Sequence, residues 1–491
     1  MHLILASEVV VHACLEKTTA AMTSILDAVG QRGDQAWIYA GSVSEITRQV
    51  PSAKVKEITG ACQWLSCLSG EAQAALEPGD VEMIQLALAL KRLGKDARLI
   101  TTKADRLTTH PNITLSPEAY RALPVAAKPV PFIDLEKQQS MIRSGLEAAL
   151  DTVLHHGQYI LGPEIKELEK QLADYVGVKH AITVASGTDS LLIALMALDV
   201  GPGDEIITVP YTWISTAEVI ALLRAKTVFV DIEPDTMNLN PDQLEQAITP
   251  RTKAIMPVGI YGQCADMTRI NAIAAKHGIP VIEDAAQCFG ARHHGKRSCG
   301  LSLVGSTSFF PSKPLGCYGD GGALFTPDDA LADKMRQIRV HGQKVKHQHP
   351  LVGINGRFDT LQAAVVLEKL KIFDEECRLR TEVAERYNRL FAGIPGVITP
   401  RLAPGNTSVY AQYTILVKDP DTLSANLQKA KIPAVSYYRV PLHLQGAFKD
   451  LAYKAGDFPV SERIASQCLS LPMAPYMTEA EQKLLVDTIR G

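Results

Sequence analysis

The sequence lacks the features that would assign it to a membrane or to a nucleic acid. Its longest apolar stretches, such as residues 86–90, are far shorter than the roughly 18 to 20 residues that a membrane helix requires. Lys plus Arg number 50 and Asp plus Glu number 53, so the net charge of -3 provides no general attraction to phosphate backbones or anionic lipid. We therefore expect neither a membrane segment nor a nucleic-acid partner.

Cysteine is scarce and irregularly placed. The chain of 491 residues has 9 cysteines and no Cys-x-x-Cys pair, and its N-terminus lacks the basic start of a secretory signal. This usage is typical of reduced thiols in a cytoplasm, so the sequence predicts a soluble, cytoplasmic protein. The histidines at 155–156, 293–294 and 347–349 lack accompanying ligands at metal spacing, and we expect no metal site.

The chain is predicted to have three folded parts. Apolar residues make up 46% and charged residues 21%, which is ordinary globular composition. Residues 1–107 alternate short apolar runs with amphipathic stretches and predict a small α/β domain with a parallel sheet. Prolines punctuate residues 108–131, which we interpret as a linker.

The remaining sequence predicts a larger α/β region followed by a smaller one. In residues 132–377, apolar strand candidates at 205–209, 227–230, 254–258 and 280–283 alternate with helices, which indicates a doubly wound sheet. Residues 378–388 predict a long helix that leads into a C-terminal α+β subdomain, 378–491. Its strand candidates are 412–417 and 434–438.

A first candidate site is a turn between a strand and a helix. Ser186, Gly187 and Thr188 follow the apolar run 181–184 and open a helical stretch. Unpaired amides at a helix start, together with the helix dipole, form a ready phosphate site, and glycine lets the backbone approach a ligand. The alternative is that these residues only cap the helix, as Ser, Thr and Asp commonly do.

Two further candidates carry charge. Asp284 ends a buried apolar strand, at the edge where open sheets bind ligands; alternatively it caps the next helix. Lys313 follows an apolar segment, and a desolvated lysine has a lowered pKa that makes it a nucleophile able to form a Schiff base. The alternative is a surface lysine in a turn. Together the three sites match the needs of pyridoxal phosphate.

From about residue 130 to its C-terminus, three quarters of the chain, the sequence resembles the DegT/StrS sugar aminotransferases. The resemblance rests on six ordered blocks: GQYILGP (157–163), SGTD (186–189), EDAAQ (283–287), SFFPSKPLGCYGDGG (308–322), NGRFD (355–359) and VPLH (440–443). It implies an α/β, fold-type I architecture, with a large doubly wound domain and a small C-terminal subdomain. Within the family the chain is most similar to the aminotransferases of UDP-2-acetamido-2-deoxy-3-oxo-glucuronate.

The resemblance implies pyridoxal phosphate as the cofactor. It assigns the Schiff base and the proton transfer to Lys313, and it assigns the pyridinium nitrogen to Asp284. The other cofactor contacts that it implies are Gly187, Thr188 and Ser308 at the phosphate, Trp213 against the ring, Gln287 at the phenolic oxygen, and Asn355 from the neighbouring subunit of a homodimer. For Trp213, the alternative is plain packing in the core.

The implied reaction converts a 3-keto nucleotide sugar to its 3-amino form, with glutamate as donor, for cell-surface polysaccharide. The substrate-side residues are Arg357, Tyr438, His443 and Tyr318. Arg357 would reach the acidic groups of the substrate from the neighbouring subunit, although it could instead pair with Asp359 or a nearby acid to hold its loop. Two features depart from the family pattern on this side. One is the aromatic segment around Trp213, and the other is Arg439, which stands where relatives often have proline. The alternatives are amination at C4 of a 4-keto-6-deoxy sugar, and a cofactor-binding regulator or scaffold.

Residues 1–107 are not part of this family resemblance. They bear a weaker resemblance to PIN-like domains, whose nucleases gather carboxylates around a divalent metal. Here Ala6 stands where the first acidic residue would be, which leaves Glu45, Asp80 and Asp105 as an incomplete set. We therefore expect a structural or partner-binding domain.

Overall fold

A computed structural model describes residues 130–490 in full and, from residues 1–129, the backbone of five short strands. The chain divides into two compact units, Met1–Lys128 and Pro129–Gly491. Among the described residues, no helix combines the length and the apolar character needed to cross a membrane.

The N-terminal unit contains one parallel sheet. Its strands pair in the order β3-β2-β1-β4-β5, and three of them overlap the apolar runs at residues 3–5, 36–39 and 97–101. The strands are β1 (His2–Leu5), β2 (Gln35–Ile38), β3 (Gln63–Trp64), β4 (Ala97–Ile100) and β5 (Thr114–Leu115). The last lies within the proline-rich stretch 108–131. The carboxylate candidates Glu45, Asp80 and Asp105 lie outside the described residues.

The second unit alternates helices and strands. Its first part comprises α1 (Leu135–His156), α2 (Pro163–Val176), β6 (His180–Val184), α3 (Gly187–Ala197), β7 (Glu205–Thr208), α4 (Ser215–Leu222), β8 (Lys226–Phe229), α5 (Leu244–Ala247), β9 (Thr252–Ile255), α6 (Met267–Lys276), β10 (Ile282–Asp284), β11 (Arg292–His293), β12 (Lys296–Arg297), β13 (Val304–Ser308), β14 (Gly322–Thr326) and α7 (Asp329–Arg339). Its last part comprises α8 (Thr360–Phe391), β15 (Tyr413–Leu416), α9 (Pro420–Lys429), α10 (Pro459–Gln467), β16 (Cys468–Leu471) and α11 (Glu479–Arg490).

One mixed sheet forms the centre of this unit. Strands β8-β7-β9 form one hydrogen-bonded group and strands β10-β13-β14-β6 form another. Parallel bridges from Ile255 to Val281 and from Val258 to Asp284 join the two groups. Strand β14 is antiparallel to both of its neighbours, and the other pairs are parallel. The predicted doubly wound α/β fold is confirmed, and the carboxyl ends of β10 and β13 lie side by side.

The sheet is covered on both faces by apolar side chains. Along β14, Leu324 belongs to one buried cluster, while Ala323 and Phe325 belong to another. Successive strand residues point to opposite faces, so the two clusters lie on the two sides of the sheet. Phe289 stacks on Phe325 and on Phe373 of α8, with ring centroids 5.8 Å apart in each pair. This packing fixes α8 against the sheet.

The C-terminal region differs in detail from the sequence-based expectation. The helix expected over 378–388 is the end of α8, which begins at Thr360, so the expected boundary between residues 377 and 378 falls inside a continuous helix. The strand expected at 412–417 is β15, paired with β16. The strand expected at 434–438 is wrong apart from one bridge at Val435, because Tyr437 and Tyr438 lie in a turn. The Tyr437 carbonyl accepts a hydrogen bond from the Tyr211 hydroxyl at 2.8 Å.

Candidate active site

Asp284 lies at the carboxyl end of β10 and is 4% exposed. Its Oδ2 accepts a hydrogen bond from the Thr216 hydroxyl at 2.9 Å, and its Oδ1 accepts one from the Ala286 amide at 3.1 Å. Burial raises the pKa of Asp284, whereas the Ala286 amide, the Thr216 hydroxyl and the charge of Lys313 lower it. The carboxylate is therefore held in one orientation. Thr216, which begins α4 with Ser215, was not predicted.

Lys313 lies in the turn that follows β13, beside the end of β10. Its amide donates to the Phe310 carbonyl at 2.8 Å, which fixes the turn, and its side chain is half-buried. Burial lowers the pKa of Lys313, while the charge of Asp284 raises it. The two charged residues are therefore close enough to influence one another. A lowered pKa increases the fraction of neutral amine, which is the nucleophilic form.

The start of α3 and the end of β13 meet at Gly187. A Cβ atom placed on Gly187 would lie 2.6 Å from the Cβ of Ser308, so only glycine fits there. The Thr188 hydroxyl is hydrogen-bonded to that of Ser215 at 2.8 Å. Ser186 caps the helix by accepting from the Asp189 amide at 3.0 Å. The capping interpretation is thus right for Ser186, and Gly187, Thr188 and Ser308 gather around the amides at the helix start.

Gln287 and Trp213 are connected through Tyr438. The Oε1 of Gln287 accepts a hydrogen bond from the Tyr261 amide at 2.9 Å, which fixes the orientation of the side-chain amide. Its Nε2 donates to the Tyr438 hydroxyl at 3.2 Å. The ring of Tyr438 lies 5.9 Å from that of Trp213. Trp213 is 57% exposed, which excludes the core alternative and leaves indole surface for a flat ligand.

Asn355 and Arg357 lie in the loop before α8, next to the end of β6. The Arg357 Nε donates to Asn355 Oδ1 at 2.9 Å, and the Ala185 amide donates to the Gly356 carbonyl at 2.9 Å. The loop is thereby held beside the turn that carries Gly187. Asn355 is exposed, and Arg357 is half-buried. The structure therefore brings this loop to the site's edge within one chain.

The other two substrate-side candidates have different surroundings. The amide of Tyr318 donates to the Gln362 side chain at 2.7 Å, and its ring faces the Lys369 ammonium. His443 is 2% exposed, is hydrogen-bonded through Nε2 to Glu462 at 3.1 Å, and packs on Phe458. Its contact with a sugar stays a prediction. Arg439, the residue that departs from the family pattern, forms a bidentate ion pair with Asp421.

Glu283, the residue before Asp284, belongs to a buried group that could hold a metal ion. The potential ligand atoms of Cys264, Glu283 and Cys288 lie within 4.8 Å of one another. Burial raises the pKa of Glu283 to about 8, and a hydrogen bond with Cys264, together with burial, raises that of Cys288. Protons on these groups compete with a cation, since metals bind the deprotonated forms. The expectation of no metal site stays a prediction.

The donor set fits pyridoxal phosphate. Helix-start amides beside hydroxyl groups suit a phosphate, and a buried carboxylate suits a protonated ring nitrogen. An amine of lowered pKa lies close enough to that carboxylate for their charges to interact. These groups come from separate parts of the sequence, and the strand ends of the sheet bring them together.

A model of the DegT/DnrJ/EryC1/StrS aminotransferase family matches residues 140–490. The chain is 55% identical over 356 residues to the UDP-2-acetamido-2-deoxy-3-oxo-D-glucuronate aminotransferase of Pseudomonas aeruginosa, covering 72% of this chain and 98% of that protein. Among solved structures, it is similar to a DegT DnrJ EryC1 StrS aminotransferase from Brucella abortus, with 46% identity, a TM-score of 0.71 and coverage of 74% and 98%. It is also similar to NtdA of Bacillus subtilis with bound pyridoxamine phosphate (PMP), with 31% identity, a TM-score of 0.68 and coverage of 74% and 84%.

Proposed function

Because the chain belongs to the DegT/DnrJ/EryC1/StrS aminotransferase family, and is therefore a pyridoxal-phosphate-dependent aminotransferase, we propose that its amino acceptor is a 3-keto nucleotide sugar. The substrate would be a UDP-linked 2-acetamido-3-oxo uronate, with glutamate as amino donor. The observation that supports this most is the 55% identity across 98% of a relative with that acceptor in its name. The product would enter cell-surface polysaccharide.

The chain's own residues would divide the work as follows. When bound, pyridoxal phosphate acts as an electron sink for negative charge that develops at the substrate carbon. Asp284 would keep the ring nitrogen protonated, and the amides at the start of α3 would hold the phosphate with Thr188 and Ser308. Trp213 would cover the ring, and Gln287 would donate to the phenolic oxygen. The Nζ of Lys313 would take a proton from the substrate carbon in one half-reaction and return one in the other.

The uronate assignment relies on the loop residues. Arg357 presents a planar set of donors that matches a carboxylate or phosphate. Among the described residues its side chain is hydrogen-bonded through Nε to Asn355, which leaves the guanidinium Nη groups for such a ligand. Tyr438 already touches Gln287 and Trp213, so it is suited to contact a sugar bound against the same residues. Tyr318 and His443 would complete this side.

The active unit would be a cytoplasmic homodimer in which each cofactor is contacted by both chains. The exposed Asn355 supports this arrangement, since its side chain lies at the edge of its own site and can extend outward. The N-terminal unit, residues 1–128, would bind a partner and take no part in the chemistry. Its exclusion from the family match supports this separation.

The test separates the two half-reactions. Glutamate alone should change the visible absorption of the purified protein, which shows that the donor half-reaction occurs. The glutamate-treated protein is then offered UDP-2-acetamido-3-oxo-glucuronate or a dTDP-4-keto-6-deoxy sugar, and the amino product is measured by mass spectrometry. Faster turnover of the 4-keto sugar would replace our assignment with C4 amination. No turnover of any keto sugar, despite bound cofactor, would favour the regulator or scaffold.

A further inference from the structure

Lys369 lies in the first half of α8 and is 1% exposed. Its ammonium group has no hydrogen-bond partner among the described residues. Burial lowers the pKa of Lys369 to about 8, while the nearby charges of Glu376 and Cys317 act in the opposite direction. A charged side chain is costly to bury unless its surroundings stabilise it, so this lysine requires an explanation that simple packing does not give.

The contact that distinguishes this ammonium is with Tyr318. The Nζ atom lies 4.3 Å from the centre of the Tyr318 ring, which is within the range of a cation–π interaction. Tyr318 belongs to the glycine-rich turn after Lys313. Its ring is therefore held from one side by a charge that originates in a different element of the fold.

The same helix also holds the backbone of that turn. Gln362 and Lys369 are seven residues apart in α8, which is about two helical turns, so both lie on one face of the helix. Gln362 accepts from the Tyr318 amide at 2.7 Å and donates to its carbonyl at 3.4 Å. At Gly321, an added Cβ would lie 2.4 Å from the ring of Phe358, just before α8. The turn thus rests directly on this helix.

We propose that Lys369 is a positioning residue that orients Tyr318, and with it the turn at 316–322, toward the sugar side of the site. The inference rests on the proposed function, because it is there that Tyr318 contacts the sugar. Gln362 fixes the peptide of Tyr318, and Lys369 fixes its ring. Since α8 begins directly after the loop that holds Arg357, one helix adjoins two of the three segments of the sugar side, and the third is the segment with Tyr438 and His443.

The experiment compares three variants of the full-length holoenzyme. Lys369→Met keeps the length of the side chain and removes the charge, and Lys369→Arg keeps a cation. Lys371→Met is the matched control, because Lys371 is exposed on the same helix and pairs with Glu368. Thermal unfolding of each variant shows whether the fold is retained.

The first readout needs no substrate. Cys317 precedes Tyr318, is fully buried, and donates from its thiol to the Phe309 and Gly319 carbonyls. A displaced turn would expose this thiol, so the rate of its modification by a thiol reagent, followed by peptide mass spectrometry, reports turn position. We expect a rise of about tenfold in Lys369→Met, partial recovery in Lys369→Arg, and no change in Lys371→Met.

The second readout is kinetic. We expect Lys369→Met to raise the KM for the keto sugar about tenfold while the glutamate half-reaction stays within about twofold of the wild type. Unchanged Cys317 labelling, equal loss in both half-reactions, or Lys369→Arg as damaging as Lys369→Met would overturn the proposal. Turnover of a 4-keto sugar in place of the uronate would overturn only the proposed substrate, since the labelling comparison does not depend on it.

Discussion

The two ends of the site are built differently. The cofactor end consists of residues at the ends of strands and the starts of helices, with Asp284 fixed by two hydrogen bonds and Gly187 fitted against Ser308. The sugar end consists of loops, where Arg357 is half-buried and the ring of Tyr318 lies against the Lys369 ammonium of α8. Regular elements impose the geometry at the first end, whereas tertiary contacts alone decide it at the second. Changes at the two ends should therefore have different kinetic signatures.

The largest effect is expected at the cofactor end, from Lys313→Ala. Lys313 is the amine whose charge acts on Asp284, and an alanine in its place supplies neither the nucleophile nor the proton carrier. Transamination should be abolished in both half-reactions, as measured by stopped-flow absorption with glutamate and by amino-sugar formation. Turnover near the wild-type rate would contradict the role of Lys313.

Asp284→Asn should come next, with a rate loss of roughly 10² to 10³ or more in both half-reactions. The amide keeps the shape of the carboxylate and loses the charge that favours a protonated ring nitrogen. Thr216→Val serves as a milder companion, because it removes one hydrogen bond to the carboxylate and should cost about tenfold. Full activity of Asp284→Asn would show that this residue is only structural.

At the sugar end, Arg357→Ala should raise the KM for the sugar nucleotide about tenfold or more, since a charge-assisted contact is worth about 1.5 to 3 kcal/mol. The glutamate half-reaction should stay nearly intact. Arg357→Lys keeps the charge without the planar donors, so it should recover only part of the loss. Equal damage to both half-reactions would erase the distinction between the two ends.

The sequence predicted the cofactor end better for a physical reason. A buried strand that ends in Asp284 and a strand-turn-helix at Gly187 are local patterns, and the sheet then brings them together. Thr216 could have been suspected from its place three residues after Trp213. Lys369 had no such signal, since nothing local shows that this one of the many charged residues in α8 faces an aromatic ring. The antiparallel direction of β14 was also missed, because periodicity does not distinguish strand directions.

A mixed-dimer experiment tests whether the cofactor end is shared between two chains. Lys313→Ala and Asn355→Ala are each expected to be inactive or strongly impaired. After random exchange of equal amounts, half the dimers would be mixed and each would hold one complete site, so activity should return to about a quarter of the wild-type level. Proven subunit exchange without recovery would place Asn355 in its own chain's site.

The smallest effect is expected from removing residues 1–128, which tests whether either end draws on the N-terminal unit. The cut falls at the boundary between the two compact units, so cofactor absorption, Tm and both half-reactions should stay close to those of the full chain.

Removal of residues 1–134 is the matched control. It also deletes Val130, which is buried in the C-terminal apolar cluster, and Phe132, whose carbonyl accepts from the Met473 amide at 3.1 Å. It removes the Asp134 side chain that caps α1 as well. The longer deletion should therefore lose about 2 to 4 kcal/mol of stability, whereas the shorter one should not. A raised sugar KM in the shorter deletion, with the glutamate half-reaction unchanged, would show that the N-terminal unit contributes to the sugar end alone. Loss of cofactor binding would show that it supports both ends.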